Sequence, residues 1–153
     1  MFGLFRRKKS LLPKADQEAI IAAIKAAEQN TSGEVRVFIE SRCSYVDATD
    51  RAREVFFKLK MDKTQLHNAV LVYVALADKQ MALYGDEGIY KKTGGDPYWL
   101  YELQQMRAFF KEDKITEGIA ACIKNIGTAL STHFPYDRNT DKNELPDDIV
   151  FGH

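Results

Sequence analysis

Cysteine is scarce in this chain, two residues in 153. Cys43 and Cys122 stand far apart and outside any CxxC spacing, so neither a disulfide framework nor a zinc ribbon holds the fold together. That usage suits a reducing, cytoplasmic compartment. Net charge is also missing, because 22 Lys and Arg balance 22 Asp and Glu. Without an overall field, a general nucleic-acid or anionic-membrane binder is disfavoured. No apolar run exceeds the nine residues of 69–77, against the roughly 20 that a membrane-spanning helix needs. The start places Phe2, Leu4 and Phe5 before Arg6, Arg7, Lys8 and Lys9, the reverse of a secretory signal, so no export is expected. The three histidines, His67, His133 and His153, share no ligand spacing for zinc. GxSxG, P-loop and strand-following GxGxxG motifs are all absent.

What remains is a chain with 45% hydrophobic residues, enough to bury one core. Ile20, Ala23, Ile24 and Ala27 recur at helical spacing over 16–28, with Asp16 read as the cap. Val35, Val37 and Ile39 alternate over 34–40 and predict a strand with those three on one face. Asp47 and Asp50 precede the stripe Ala52, Val55, Phe56 and Leu59, which predicts a second helix. The apolar run after Asn68 lacks alternation, so it reads as a central strand covered on both faces. Asp78 and Lys79 turn the chain into a weaker strand over 80–84, making a hairpin, and Gly94, Gly95 and Pro97 mark a break. Two helical stripes follow, from Trp99 to Phe110 and from Ile115 to Leu130, ending before Pro135. The predicted fold class is α/β: a small mixed sheet sandwiched between helices, with the first two strands parallel and the third antiparallel. The expected division is an arm at 1–14, a domain at 15–135 and a polar tail at 136–153 that can dock on it.

This topology sorts the acids onto two rims. Glu34, Asn68 and Asp86, next to Glu87, belong at the end where the parallel strands start. Cys43, Asp47, Asp50 and Asp78 belong at the opposite end. Carboxylate and amide oxygens are ligands for hard cations such as Ca²⁺ or Mg²⁺, and Gly85 and Gly88 let the backbone come close. The sequence leaves the choice of rim open. Asp47 and Asp50 equally suit a helix cap and its partner, and Asp78 a turn. Cys43 has no basic partner that would make it a nucleophile.

The pieces Thr31-Ser32-Gly33-Glu34-Val35-Arg36-Val37, Asp47-Ala48-Thr49-Asp50-Arg51-Ala52, Asn68-Ala69-Val70-Leu71-Val72-Tyr73-Val74, Gly85-Asp86-Glu87-Gly88-Ile89, Asn143-Glu144-Leu145-Pro146-Asp147-Asp148-Ile149 and Phe151-Gly152 resemble, in order and spacing, the TPM-domain family. That family is named after a thylakoid-lumen acid phosphatase and its bacterial relatives, and the resemblance is to the small stand-alone bacterial forms. It implies an α/β/α sandwich, divalent-metal binding most often described for Ca²⁺, and a phosphatase activity assigned to some members. Phe38 stands where a histidine is common in the subgroup and Tyr90 where an asparagine is common. Three expectations follow: a soluble, monomeric protein binding Ca²⁺ or Mg²⁺ at a sheet rim, with Glu34, Asn68 and Asp86 or else Asp47, Asp50 and Asp78 as ligands; a weak metal-dependent phosphatase; or a non-catalytic module that docks a protein partner or assists assembly.

Overall fold

The computed structural model describes residues 11–137 and 145–152. The expectations placed on 1–10, on 138–144 and on His153 lie outside the described residues. The elements in chain order are α1 (Lys14–Glu28), β1 (Glu34–Glu40), α2 (Ala48–Lys58), a 3-10 turn (Met61–Lys63), β2 (Ala69–Ala75), β3 (Gln80–Gly85), α3 (Glu87–Lys92), α4 (Asp96–Lys111), α5 (Ile115–His133) and β4 (Ile149–Phe151). The four strands form one sheet in the order β3-β2-β1-β4. β1 and β2 run parallel with Glu34 opposite Ala69, and β3 returns antiparallel with Gly85 opposite Val70.

β1 and β2 are buried along their whole length. Two cores result, because successive residues of a strand face opposite ways. Val35, Val37, Ile39, Val70, Val72 and Val74 meet apolar residues of α1, α4 and α5, including Ile24, Met106 and Ile123. Phe38, Leu71, Tyr73 and Ala75 meet α2 through Ala52, Val55 and Phe56. Each fully buried large side chain adds roughly 1.5–3 kcal/mol, so these two layers fix the register of the central strands. The alternation also places Glu34, Arg36 and Glu40 on the α2 face of β1, and all three are buried.

Four local features depart from the sequence reading. No side chain caps α1, which starts after Pro13 with Asp16 inside its first turn, where a carboxylate favours the helix dipole. The central strand ends at Ala75, before the apolar run does. Glu87 starts a short helix capped by Asp86 where a hairpin end was expected, since a carboxylate accepting from the next amide nucleates a turn. In the tail, Ile149, Val150 and Phe151 form a strand parallel to β1.

Candidate functional site

At the rim where β1 and β2 begin, Glu34 donates its backbone N–H to Asn68 O (3.3 Å), and Asp86 donates its own to Ala69 O (2.9 Å). The fold thus brings Glu34, Asn68 and Asp86 to one end of the sheet. Their side chains take separate partners. Glu34 Oε1 accepts from the Leu145 amide (3.2 Å), and Asn68 Nδ2 donates to Ser32 Oγ (3.3 Å). Asp86 Oδ1 accepts from the Glu87 amide, and its Oδ2 lies 3.2 Å from His67 Nδ1.

Two further acids complete this rim: Glu28, which no motif piece contains, and Asp147, which comes from the piece in the tail. Glu28, at the end of α1, accepts from the Val35 amide (2.7 Å) and faces Asp147 and Glu34. Burial, then the hydrogen bond shared with Asp147, raise its pKa to about 10, so it holds a proton at neutral pH. Asn68 Oδ1 and Asp147 Oδ1 are buried with no hydrogen-bond partner. The carboxyl groups and the Asn68 amide offer oxygen ligands, which suit Ca²⁺ or Mg²⁺. Among the described residues, however, no three His, Cys, Asp or Glu side chains are placed so as to hold a metal by themselves.

The acids of the opposite rim are engaged in local structure. Asp47 caps α2 by accepting from the Thr49 amide (2.9 Å), and Asp50 is exposed in the first turn. Asp78 accepts from the Cys43 amide (2.7 Å) and pairs with Arg42 (3.1 Å). Beside them lies a network that the sequence pattern did not single out. Arg51 forks onto both oxygens of Glu40 (2.9 and 3.0 Å) and reaches Glu54, while the Tyr73 hydroxyl donates to Glu40. Burial opposes the charge of Glu40, yet these bonds outweigh it and hold the carboxyl below its usual range. The only sequence signal was a charged residue at each end of a buried strand.

A cavity of about 600 Å³ opens beside β3. Leu83, Tyr84 and Gly85 of β3 line it together with Phe57 of α2 and Trp99 and Leu103 of α4. His67 and Asp86 sit in its wall, and His67 adopts a left-handed backbone (φ 51°). Trp99, expected in the core stripe, is buried there and also presents an edge to this cavity. Its ring lies nearly parallel to that of Tyr90 (centroids 6.4 Å apart, 10°), and its indole N–H donates to Thr93 Oγ1 (3.0 Å). No helix among the described residues is long and apolar enough to cross a membrane.

Comparison with known proteins agrees with this architecture. Residues 6–129 match the family model described as TPM domain. The NMR structure of the BA42 protein from the psychrophilic bacterium Bizionia argentinensis is similar over 94% of this chain and 97% of its own, at 40% identity and a TM-score of 0.84. The N-terminal domains of the cg2496 protein from Corynebacterium glutamicum (12% identity, TM-score 0.63, 95% and 84% covered) and of a protein from P. gingivalis (14%, 0.65, 84% of each) share the fold. No curated protein matches. With the family model spanning most of its length and a fold this close to BA42, the chain belongs to the TPM-domain family.

Proposed function

We propose that this TPM domain binds a divalent cation, Ca²⁺ or Mg²⁺, at the rim formed by Glu34 and Asn68 with Glu28 and Asp147. The observation that carries the reading is the pair of buried oxygens without partners, Asn68 Oδ1 and Asp147 Oδ1, on a rim where burial first, then the Asp147 hydrogen bond and last the repulsion of Glu34 and Asp147 keep the proton on Glu28. A buried polar oxygen without a partner costs about 1–3 kcal/mol, and a cation would relieve both that cost and the repulsion. As placed, the side chains do not close a ligand shell, so backbone oxygens and water complete it, as is usual for Mg²⁺ and common for Ca²⁺.

Phosphoester hydrolysis finds less support. The cavity beside β3 carries Asp62, Asp86, Glu87 and Asp96 and, among the described residues, neither Lys nor Arg, a field that repels a phosphate dianion. The tail that a docking module would offer to a partner is committed to the chain's own sheet, with Arg36 pairing Asp148 (3.2 Å) and Gly152 donating to Ile39 O (2.8 Å).

The test is a titration of chelator-stripped protein with CaCl₂ and with MgCl₂, followed by amide NMR and by proton release in weak buffer. Shifts centred on Glu34, Asn68 and Asp147, with a proton released as Glu28 ionises and weaker binding in Glu34→Gln, are expected. Silence up to millimolar cation, or shifts confined to Asp47, Asp50 and Asp78, would overturn the reading. Turnover of a chromogenic phosphate that is lost in Glu34→Gln would add the hydrolytic activity to it.

A further inference from the structure

The cavity beside β3 holds none of the four residues proposed for the cation, although Asp86 of the same rim stands in its wall, and three independent features of it point to one kind of ligand. The first is the sheet order, β3-β2-β1-β4. It leaves the outer edge of β3 without a strand partner among the described residues, and the last residues of that edge, Leu83, Tyr84 and Gly85, line the cavity. An unpaired edge presents a row of N–H and C=O groups ready to accept another extended chain. The second is apolar. Phe57 on α2 is 46% exposed and Leu100 on α4 is 56% exposed, and both line the cavity, so apolar walls rise on either side of the strand edge. Tyr90 and Trp99, whose rings form a near-parallel pair, line it as well.

The third is charge. Asp62, Asp86, Glu87 and Asp96 all line the cavity and among the described residues no Lys or Arg does, although the chain as a whole is neutral. Asp86 faces His67 (3.2 Å) and Asp62 lies 3.5 Å from the exposed Lys63 Nζ, which leaves the lining with an excess of negative charge carried chiefly by Glu87 and Asp96. Aromatic faces beside carboxylates attract Lys and Arg side chains, whose charge they stabilise from two directions. Among the described residues no three of these acids are placed together so as to hold a metal ion, and a polyanion would be repelled.

We propose that this cavity binds a basic peptide segment in extended conformation, added to the free edge of β3 as a fifth strand. Its main chain pairs with β3, its Lys or Arg side chains reach the carboxylates, and the apolar side chains of the alternate face settle between Phe57 and Trp99.

Trp99 is the single tryptophan, so its emission reports occupancy directly. The probe is the capped hexapeptide acetyl-Lys-Phe-Lys-Val-Lys-Val-amide, titrated in low salt with EDTA present, so that the outcome is independent of the cation rim. A saturable change in emission, with amide shifts along β3, is expected. Methylating alternate peptide nitrogens should abolish it, because strand addition needs those donors. Asp62→Asn combined with Glu87→Gln, two surface changes, should weaken binding about tenfold, the factor set by roughly 1.4 kcal/mol. Three results would each overturn the proposal. The emission and the β3 amides stay unchanged; the methylated or the Glu-for-Lys peptide binds equally well; or lysine amide alone binds as tightly, which would make the cavity a site for small amines.

Discussion

Replacing Gly88 by alanine tests how the wall holding His67 and Asp86 is built. A Cβ at Gly88 would sit 2.4 Å from the Leu66 carbonyl oxygen and 2.5 Å from that of His67. Ordinary carbon–oxygen contacts are about 3.3 Å or longer, so backbone must move by about 0.9 Å. The His67 oxygen is not free to give way. His67 O accepts from the Ile89 amide (3.2 Å), and the next residues enter β2, which is paired on both sides. Overpacking of this kind costs about 3 kcal/mol at the upper end, and alanine in a helical turn returns about 1 kcal/mol. The net expectation is a loss of about 2 kcal/mol. For a chain of this size that lowers Tm by roughly 4–8 °C and moves the urea midpoint by about 1 M. Gly94→Ala is the control: a Cβ there meets nothing within 4 Å, and the only penalty is its positive φ of 93°, about 1 kcal/mol. If Gly88→Ala unfolds within 0.5 kcal/mol of the wild type, the close approach of α3 to the Leu66–His67 backbone is not a constraint and the reasoning fails.

Glu28 makes stability depend on pH in the direction opposite to most acids. Its folded pKa is raised from 4.5 to about 10, so the folded state binds more protons and stability falls as pH climbs between those values. Glu28→Gln, which keeps an oxygen to accept from the Val35 amide, is expected to flatten that fall. Urea unfolding of both proteins at pH 5, 7 and 9 checks it, and parallel curves would refute it. Arg51→Met strands the buried Glu40 carboxylate and is expected to cost about 3 kcal/mol at pH 7. The depressed pKa of Glu40 stabilises the fold above the ordinary carboxylate range and stops doing so as pH falls through the folded value. The variant's deficit should therefore shrink in acid, and a deficit constant down to pH 3 would count against the pairing.

Much of the architecture was legible along the chain because period and burial are local properties. The alternation of Val35, Val37 and Ile39 and the unbroken run from Ala69 were enough to set two parallel strands. From them the rims of Glu34, Asn68 and Asp86 and of Asp47, Asp50 and Asp78 followed by topology alone. Asp47 capped its helix because a carboxylate before a helical stripe has that use wherever it stands. Distance in space is a different quantity from distance in sequence. Glu28 and Asp147 stand 119 positions apart by their numbering, and only the docking of β4 on β1 brings them together and holds a proton between them. Arg51 finds Glu40 because α2 packs on the face where β1 carries its charged residues. The cavity beside β3 belongs to no single segment, since α2, β3, α3 and α4 each contribute a wall. The sequence by itself determined which residues would form strands, helices and caps, for those choices depend on neighbours a few bonds away. Which acids share a proton, which are paired and which face an open groove was decided by the tertiary structure, where charge and burial act through space.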